Sequence, residues 1–545
     1  MEKFEKGMVC SGLAEGYSSD GLGIVRINGV VVFVPGVVRG ETVDFRITKV
    51  MKSSAAGELV RVQQPSPDRL EPDCPHFGIC GGCDFRHLRY AEELWAKRRR
   101  VQDALTRLGG SSVQVEEIAG AENPLRYRNK SQYPVGSGGE IGFYRARSHQ
   151  VIPVDHCLLQ PEICDETARA VGEWMRRYRV PAYDERTGRG LVRHIYTRVN
   201  RKGESLCCVV ANGKRLPREP ELAAMVLAAV PKTAGVVLNS NTQKSNVILG
   251  NKYRTIWGQS FLLDTLCGLT FKLSVPSFYQ VNPVQAETLY DKALEFAALT
   301  GTETALDLYC GAGTITLRLA QKAKRVIGAE IVPEAIRDAK ENAVRNGVQN
   351  AEFFNGDASD VAVKLAAEGL RPDVITVDPP RKGLAPEVIA AIVGMMPDRV
   401  VYVSCDPATL GRDVKIFAEK GYTVMRASAV DMFPRTAHVE TVVLLSKLRA
   451  EHHIEVDLDL GEMDLTSAES KATYEEIKAY VLEKFGLKVS HLYISQVKRK
   501  CGLEVGPNYN LPKSEGQRVP QCPPEKEKAI MAALEHFQMI EGSDS

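Results

Sequence analysis

From Tyr279 to about Lys447 the chain alternates β-rich runs with helix-like stretches, each about 10 to 15 residues apart. That alternation confines the segment to a doubly wound, Rossmann-like α/β sheet, where reactive groups gather beyond the carboxyl ends of the strands. Each β-rich run here ends on chemistry. Ala305-Leu-Asp-Leu308 enters Tyr309-Cys-Gly-Ala-Gly313 and then a helix, so the glycines let a ligand approach the backbone and the helix N-terminus can face a carboxylate. By itself this turn suits a dinucleotide or S-adenosylmethionine equally. The next run, Arg325–Glu330, ends on an acid 21 residues after Tyr309, placed to accept from both ribose hydroxyls. Asn355-Gly-Asp357 supplies a second acid, suited to an adenine amine, and Val374–Val377 ends in Asp378-Pro-Pro-Arg381. Glycine turn, acid, acid, then Asp-Pro-Pro is the order of a class I methyltransferase rather than a dehydrogenase.

The following run, Val400–Val403, ends on Ser404-Cys405-Asp406-Pro407 and leads into a helix-like Thr409–Glu419. Pro407 fits the first turn of a helix, where its missing N–H costs nothing. Cys405 is thereby predicted at a strand end and just before a helix N-terminus, where a thiolate is favoured. A buried, inert cysteine is the plain alternative. Asp-Pro-Pro also occurs in amino-methylating enzymes, with a stacking aromatic after it; Arg381 in that position argues against that chemistry. A later strand carries His438-Val-Glu440. Thiolate plus carboxylate is what pyrimidine C5 methylation needs. Carbon 5 of uracil is a poor nucleophile until a thiolate adds at carbon 6, and a base must afterwards remove the carbon 5 proton.

At 545 residues the chain exceeds a single core. Hydrophobic residues at 44% and charged residues at 25% are ordinary globular values, and no apolar run approaches the roughly 18 residues of a membrane span. Met1-Glu-Lys-Phe-Glu-Lys6 lacks the apolar core of a signal peptide, so a cytoplasmic protein is expected. A net charge of +2 confines any nucleic-acid surface to a local patch. Thirteen cysteines in such a chain point to metal, cluster or catalytic roles, not to a disulfide framework.

Residues 1–62 read as a small β-barrel, with β-rich runs at Gly23–Ile27, Val30–Val34, Thr42–Thr48 and Gly57–Val62 between Gly and Asn-Gly turns. The layout of Gly12, Gly16, Gly21, Gly23, Val34-Pro-Gly36 and Gly40 resembles the TRAM domain, an OB-like RNA-binding barrel. Gln64-Pro-Ser-Pro67 reads as a linker into Cys74-Pro-His-Phe-Gly-Ile-Cys80-Gly-Gly-Cys83, a C-x5-C-x2-C array. Cys157 is the best candidate for a fourth soft ligand; zinc and an iron–sulfur cluster both fit, and His76, His87 and His156 keep a Cys3His zinc site open. An amphipathic helix over 90–109 is expected to pack on the methyltransferase segment. Residues 63–275 are expected to form a β-rich central domain. Within it Arg126-Tyr-Arg-Asn-Lys-Ser-Gln-Tyr133 and Gly142–Arg147 mix basic and aromatic residues as an RNA surface does. The same pattern would also suit a solvated strand face over an aromatic core. Residues 450–545 read as a separate α-rich extension of unknown role, with one helix over Glu469–Phe485 and another capped by Ser490.

Ser277-Phe-Tyr-Gln-Val-Asn282, Asp378-Pro-Pro-Arg381, Ser404-Cys-Asp-Pro407 and His438-Val-Glu440, in this order, resemble the RNA uracil-5-methyltransferase family across residues 1–447. The barrel and the four cysteines resemble its 23S rRNA branch. The resemblance implies Cys405 as nucleophile, Glu440 as base, and Gln280, Tyr309, Glu330 and Asp378 around S-adenosylmethionine and the target base, with Asp357 added to them. Thr314 stands where some relatives have Asn, which leaves that contact open. It also implies a 4Fe-4S cluster on Cys74, Cys80, Cys83 and Cys157, an RNA partner, no membrane and no obligate protein partner. A tRNA substrate and a catalytically silent RNA-binding or ribosome-assembly factor are the alternatives.

Overall fold

The computed structural model describes residues 4–447, 474–501, 503, 521–537 and 539–540. They fall into two units, Met1–Arg449 and Ala450–Ser545.

The first unit opens with five strands, β1 (Val9–Tyr17), β2 (Gly23–Ile27), β3 (Val30–Val34), β4 (Thr42–Val50) and β5 (Ser54–Gln64). They close into a barrel in the order β1-β2-β3-β5-β4. Alternating apolar residues fill it, among them Val25, Val32, Val43 and Phe45. β1 lies outside the β-rich runs expected from sequence because glycines interrupt it. Gly12 has a packing reason: a Cβ there would come within 2.5 Å of Val25. Gln64–Pro67 is no free linker. Buried Glu41 accepts from Ser66 N and from the Arg69 guanidinium, which fastens the exit from the barrel.

Helix α1 (Tyr90–Arg107) follows, then β6 (Lys130–Pro134), β7 (Gly142–Tyr144), β8 (Val151–Pro153), α2 (Glu162–Tyr178), β9 (Val192–Val199), β10 (Ser205–Ala211), α3 (Glu219–Ala229), β11 (Thr233–Ser240) and β12 (Lys252–Gly258). The sheet runs β12-β11-β10-β9-β6, with β10 and β11 parallel. The central region is therefore mixed α/β rather than simply β-rich. The signal for α2 was present in Cys164, Ala168, Val171 and Met175, which recur at helical spacing and are all buried. A hairpin, β13 (Phe261–Leu266) and β14 (Leu269–Ser274), leads on.

The remainder of this unit is α4 (Pro283–Ala297), β15 (Thr304–Leu308), α5 (Thr314–Ala320), β16 (Arg325–Glu330), α6 (Pro333–Arg345), β17 (Ala351–Asn355), α7 (Ala358–Ala367), β18 (Val374–Val377), α8 (Pro386–Met395), β19 (Arg399–Ser404), α9 (Pro407–Glu419), β20 (Tyr422–Val430) and β21 (Glu440–Lys447). Its seven-stranded sheet has the order β17-β16-β15-β18-β19-β21-β20. β15 to β19 are parallel and, apart from Asp307 in β15 and Thr376 in β18, mostly apolar where central, because helices cover both faces. β21 runs antiparallel to β19, so its first residue lies at the edge where β19 ends, with Ser404 opposite Thr441. Helix α1 joins the core on one face of this sheet through Val101 and Leu105. It approaches α9 closely at Gly411, where a Cβ would meet the Ala104 carbonyl oxygen at 2.6 Å.

In the second unit, α10 (Tyr474–Phe485), α11 (His491–Lys500) and α12 (Pro524–His536) enclose Ile477, Val481, Ile494, Val497, Ile530 and Ala533. Ser490 caps α11 by accepting from Tyr493 N. Residues 469–473 of the expected first helix lie outside the described residues. α12 has no counterpart in the sequence reading; Pro523-Pro524 looks like a breaker, yet Pro at the first helical position starts a helix. Among the described residues no helix is long and apolar enough to cross a membrane.

Candidate functional site

The carboxyl edge of the seven-stranded sheet gathers the chemistry. At β15 the chain turns through Tyr309, Gly311 and Gly313, at φ +70°, +55° and +84°. A Cβ on Gly313 would press on Ala339 and Phe353 at 3.2 to 3.3 Å, whereas one on Gly311 would meet nothing within 4 Å. The turn is thus tight against the core and open toward the edge. Glu330, ending β16, accepts from Gly311 N at 3.2 Å and Val332 N at 2.9 Å. Each carboxylate oxygen retains a further lone pair for a ligand hydroxyl. Asp357 is exposed, caps α7 through Ser359 N, and with Glu330 is a charge neighbour of Tyr309. Thr314 Oγ1 lies 3.2 Å from the hydroxyl of buried Tyr290. Gln280, on the loop before α4, is buried, and its backbone carbonyl accepts from Asn129 Nδ2.

Beyond β18, β19 and at the start of β21, three reactive groups share one field. Burial first, then the charge of Asp307, pushes Asp378 up to about 7. Burial and Asp378 push Glu440 up to about 8. Burial, Glu440 and Asp378 push the Cys405 thiol up to about 11. Arg381 is the cation that opposes the rise at both Cys405 and Glu440. Cys405 stands ahead of α9, as its sequence suggests, but Asp406 already satisfies the helix end by accepting from Ala408 N and Thr409 N. Burial and the neighbouring carboxyls thus work against the thiolate that the position ahead of the helix was expected to favour.

Asp307 escaped the sequence reading. It is buried within β15 and accepts from Thr316 Oγ1 at 2.5 Å and Thr376 Oγ1 at 2.8 Å, with burial raising it to about 6. An acid in the middle of an apolar parallel strand was the available signal. Arg381 was read only as the absence of an aromatic; that its charge reaches both thiol and carboxyl is visible in three dimensions alone.

The cysteine-rich segment lies against the hairpin β7–β8. Gly81 N donates to Tyr144 O and Cys80 bridges Arg145. Cys80, Cys83 and Cys157 are charge neighbours of one another, and Cys74 joins them as a neighbour of Cys80. All are free thiols; burial pushes Cys83 to about 12 and Cys157 to about 11. Among the described residues no three His, Cys, Asp or Glu side chains are arranged to hold a single metal ion. The run Arg126–Tyr133 proves to be the support of this corner, with none of its residues exposed. Arg126 donates to the carbonyls of Cys157 and Gln160, and buried Tyr133 bonds Asp165, which accepts from Cys157 N. Exposed arginines remain at Arg145 and Arg147.

Known proteins bear on this arrangement. A family model described as tRNA (Uracil-5-)-methyltransferase matches residues 238–448, and a TRAM domain model matches residues 13–60. An uncharacterized RNA methyltransferase of Clostridium tetani is 44% identical over 435 residues, 79% of this chain and 95% of that one. One from Halalkalibacterium halodurans is 45% identical over 436 residues, with 79% and 95% covered. The structure also resembles that of Pyrococcus abyssi tRNA (uracil-54, C5)-methyltransferase, solved with S-adenosyl-L-homocysteine, at a TM-score of 0.66 and 27% identity over 80% of this chain and 99% of that one. With a sheet edge that joins a thiol to a carboxyl, and relatives alike over most of its length, the chain belongs to the RNA (uracil-5-)-methyltransferase family.

Proposed function

We propose that this enzyme transfers a methyl group from S-adenosylmethionine to carbon 5 of a uridine in 23S rRNA. The observation that carries the reading is the pairing of Cys405 and Glu440 across the end of β19 and the start of β21, close enough that the Glu440 charge raises the Cys405 thiol. The Tyr309–Gly313 turn, Glu330, Gln280, Asp357 and Asp378 would hold S-adenosylmethionine, which would supply an electrophilic methyl. The open side of Gly311 and the spare lone pairs of Glu330 support that fit.

Cys405 loses its proton to solvent, helped by Arg381, and its sulfur adds to carbon 6 of the uracil. Carbon 5 then takes the methyl, leaving a saturated adduct bound through sulfur. Glu440, ionised, takes the carbon 5 proton; the carbon 5–carbon 6 double bond re-forms as the carbon–sulfur bond breaks, and Cys405 departs as thiolate. A carboxyl raised to about 8 is a stronger base than an ordinary glutamate. Cys74, Cys80, Cys83 and Cys157 would hold a 4Fe-4S cluster with a structural role. Such a cubane would take one thiolate at each of four corners; Cys80, Cys83 and Cys157 neighbour one another and Cys74 neighbours Cys80, which supports that reading.

RNA carrying 5-fluorouridine tests the chemistry, because fluorine cannot leave as a proton and the enzyme stalls as a covalent adduct. Adduct formation that needs Cys405 and the cofactor is expected; its absence in the wild type would leave a silent RNA-binding factor. A second substrate, tRNA, is favoured by the Pyrococcus enzyme, which acts on tRNA and is covered over 99% of its length. Mass-spectrometric mapping of RNA from a deletion strain separates the two by where 5-methyluridine disappears.

A further inference from the structure

Residues 431–437 connect β20 to Glu440 and are gripped from outside the methyltransferase sheet. The Asp431 carboxylate accepts from Lys97 Nζ at 2.5 Å and Tyr90 Oη at 2.7 Å. The carbonyls of Phe433 and Pro434 accept from Lys97 Nζ and Tyr127 Oη. Arg435 N donates to Glu93 Oε1 at 2.6 Å, and Arg100 Nη1 donates to Ala437 O at 2.9 Å. Two of the contacts come from a single residue, Asp84. Its backbone N donates to Arg435 O at 2.9 Å and its carboxylate accepts from Ala437 N at 2.9 Å. Between these bonds Arg435 holds a φ of +71°, which a side-chain-bearing residue adopts only when its surroundings impose it.

Asp84 is the residue after Cys83, and Ala437 lies three residues before Glu440. We propose that Asp84 is a positioning residue for the Glu440 base, and that through it the cysteine-rich segment sets the rate of proton removal. This rests on the role given to Glu440 above. Without the Asp84 carboxylate the 435–437 turn loses the bond that closes it and the left-handed Arg435 relaxes, so Glu440 shifts from carbon 5. Cys405 is held by β19 and by the Asp406 cap on α9, neither of which Asp84 bonds, so addition and methyl transfer continue. The consequence is a change in partition: methylated RNA stays on the protein instead of leaving it. A displacement of this kind slows a positioned proton transfer by roughly ten- to a hundredfold.

The test compares wild type, Asp84→Ala and Asp84→Asn on whichever transcript, 23S rRNA or tRNA, the wild type methylates. Methylated covalent complex and released methylated RNA are counted on denaturing gels, per molecule able to trap on the 5-fluorouridine transcript, so partial unfolding cancels. Asp84→Ala is expected to trap normally on the fluorinated RNA, to accumulate adduct on ordinary RNA and to release product about tenfold or more slowly. Asp84→Asn keeps an acceptor oxygen for Ala437 N and should restore release. Should Asp84→Ala yield no trap-competent protein, Asp84→Glu, which moves the carboxylate by one methylene, carries the same expectation. Release at the wild-type rate in the Ala or Glu variant, or trapping and release falling in equal proportion, overturns the proposal. A wild type that never traps, or Glu440→Gln without accumulated adduct, instead overturns the role of the base on which it rests.

Discussion

Glu440→Gln should stabilise the cofactor-free protein in alkaline solution. Glu440 is buried and pushed from the ordinary 4.5 to about 8 by desolvation first and by Asp378 second. At about 1.4 kcal/mol for each tenfold change in proton affinity, ionising it in the folded chain costs up to about 5 kcal/mol. Asp378, itself raised to about 7, takes part of that cost by protonating, which brings the expectation to about 2 to 4 kcal/mol. The sign follows from linkage. The folded state holds the proton more tightly than the unfolded chain, so the stability tied to Glu440 is complete below about 4.5 and lost as pH rises to about 8. Glutamine fills the same space and never ionises. Denaturant unfolding at pH 5, 7 and 9 should give nearly equal stabilities at pH 5 and a gap that widens toward pH 9. Parallel pH profiles for the two proteins would refute the reasoning, since Glu440 would then ionise as readily inside the fold as outside it.

The same carboxyl predicts that release of methylated RNA from the covalent complex speeds up with pH through about 8, because Glu440 takes a proton only when ionised; a release rate flat from pH 6 to 9 would remove it as the base. Lys97→Met strands Glu93 and Asp431, both fully buried, and should cost about 3 to 5 kcal/mol in denaturant unfolding; a loss below about 1 kcal/mol would mean those carboxyls find other partners. Gly411→Ala drives a methyl into the Ala104 carbonyl and should cost about 1 to 3 kcal/mol, read as a lower Tm, unless α1 and α9 part freely. Anaerobically purified protein should be brown, with about four irons per chain, and Cys80→Ser colourless with weaker RNA binding but retained cofactor binding; one zinc on the same thiols would replace the cluster assignment.

The methyltransferase sheet was legible because each strand announces itself twice, by an apolar run and by the residue that ends it: Glu330, Asp378, Cys405. Those residues act at strand ends, where neighbours in sequence are also neighbours at the site. What stayed hidden depends on contacts far apart in the chain. Burial raises Asp378 first, and the charge that adds to it is that of Asp307, 71 residues earlier; the grip on residues 431–437 comes largely from residues 84–127. The run Arg126–Tyr133 misled for a related reason. Arginine and tyrosine serve RNA surfaces and buried carbonyl clamps with the same hydrogen-bond donors, and only burial tells the two apart. Strand β1 was missed because glycine, which weakens a strand's signature, is required where Gly12 meets Val25.

The buried acids also bear on how the chain divides. Asp307, Asp378 and Glu440 are each raised by burial, so the folded state carries a destabilising cluster at its reactive edge. A loop beside such a cluster would relax toward water unless something outside the sheet held it. The holders include Asp84, Glu93, Lys97, Arg100 and Tyr127, none of which belongs to the methyltransferase sheet, while Gly411 lets α1 seat against α9. A segment beginning near residue 276 would keep Cys405, Glu440 and the bonds from Asn282 and Gln285 to Met432 O and Asp431 O, but lose every one of those holders. The region ahead of the sheet therefore holds the connector that leads into Glu440. It maintains the strained turn at Arg435 that an exposed, isolated sheet would release.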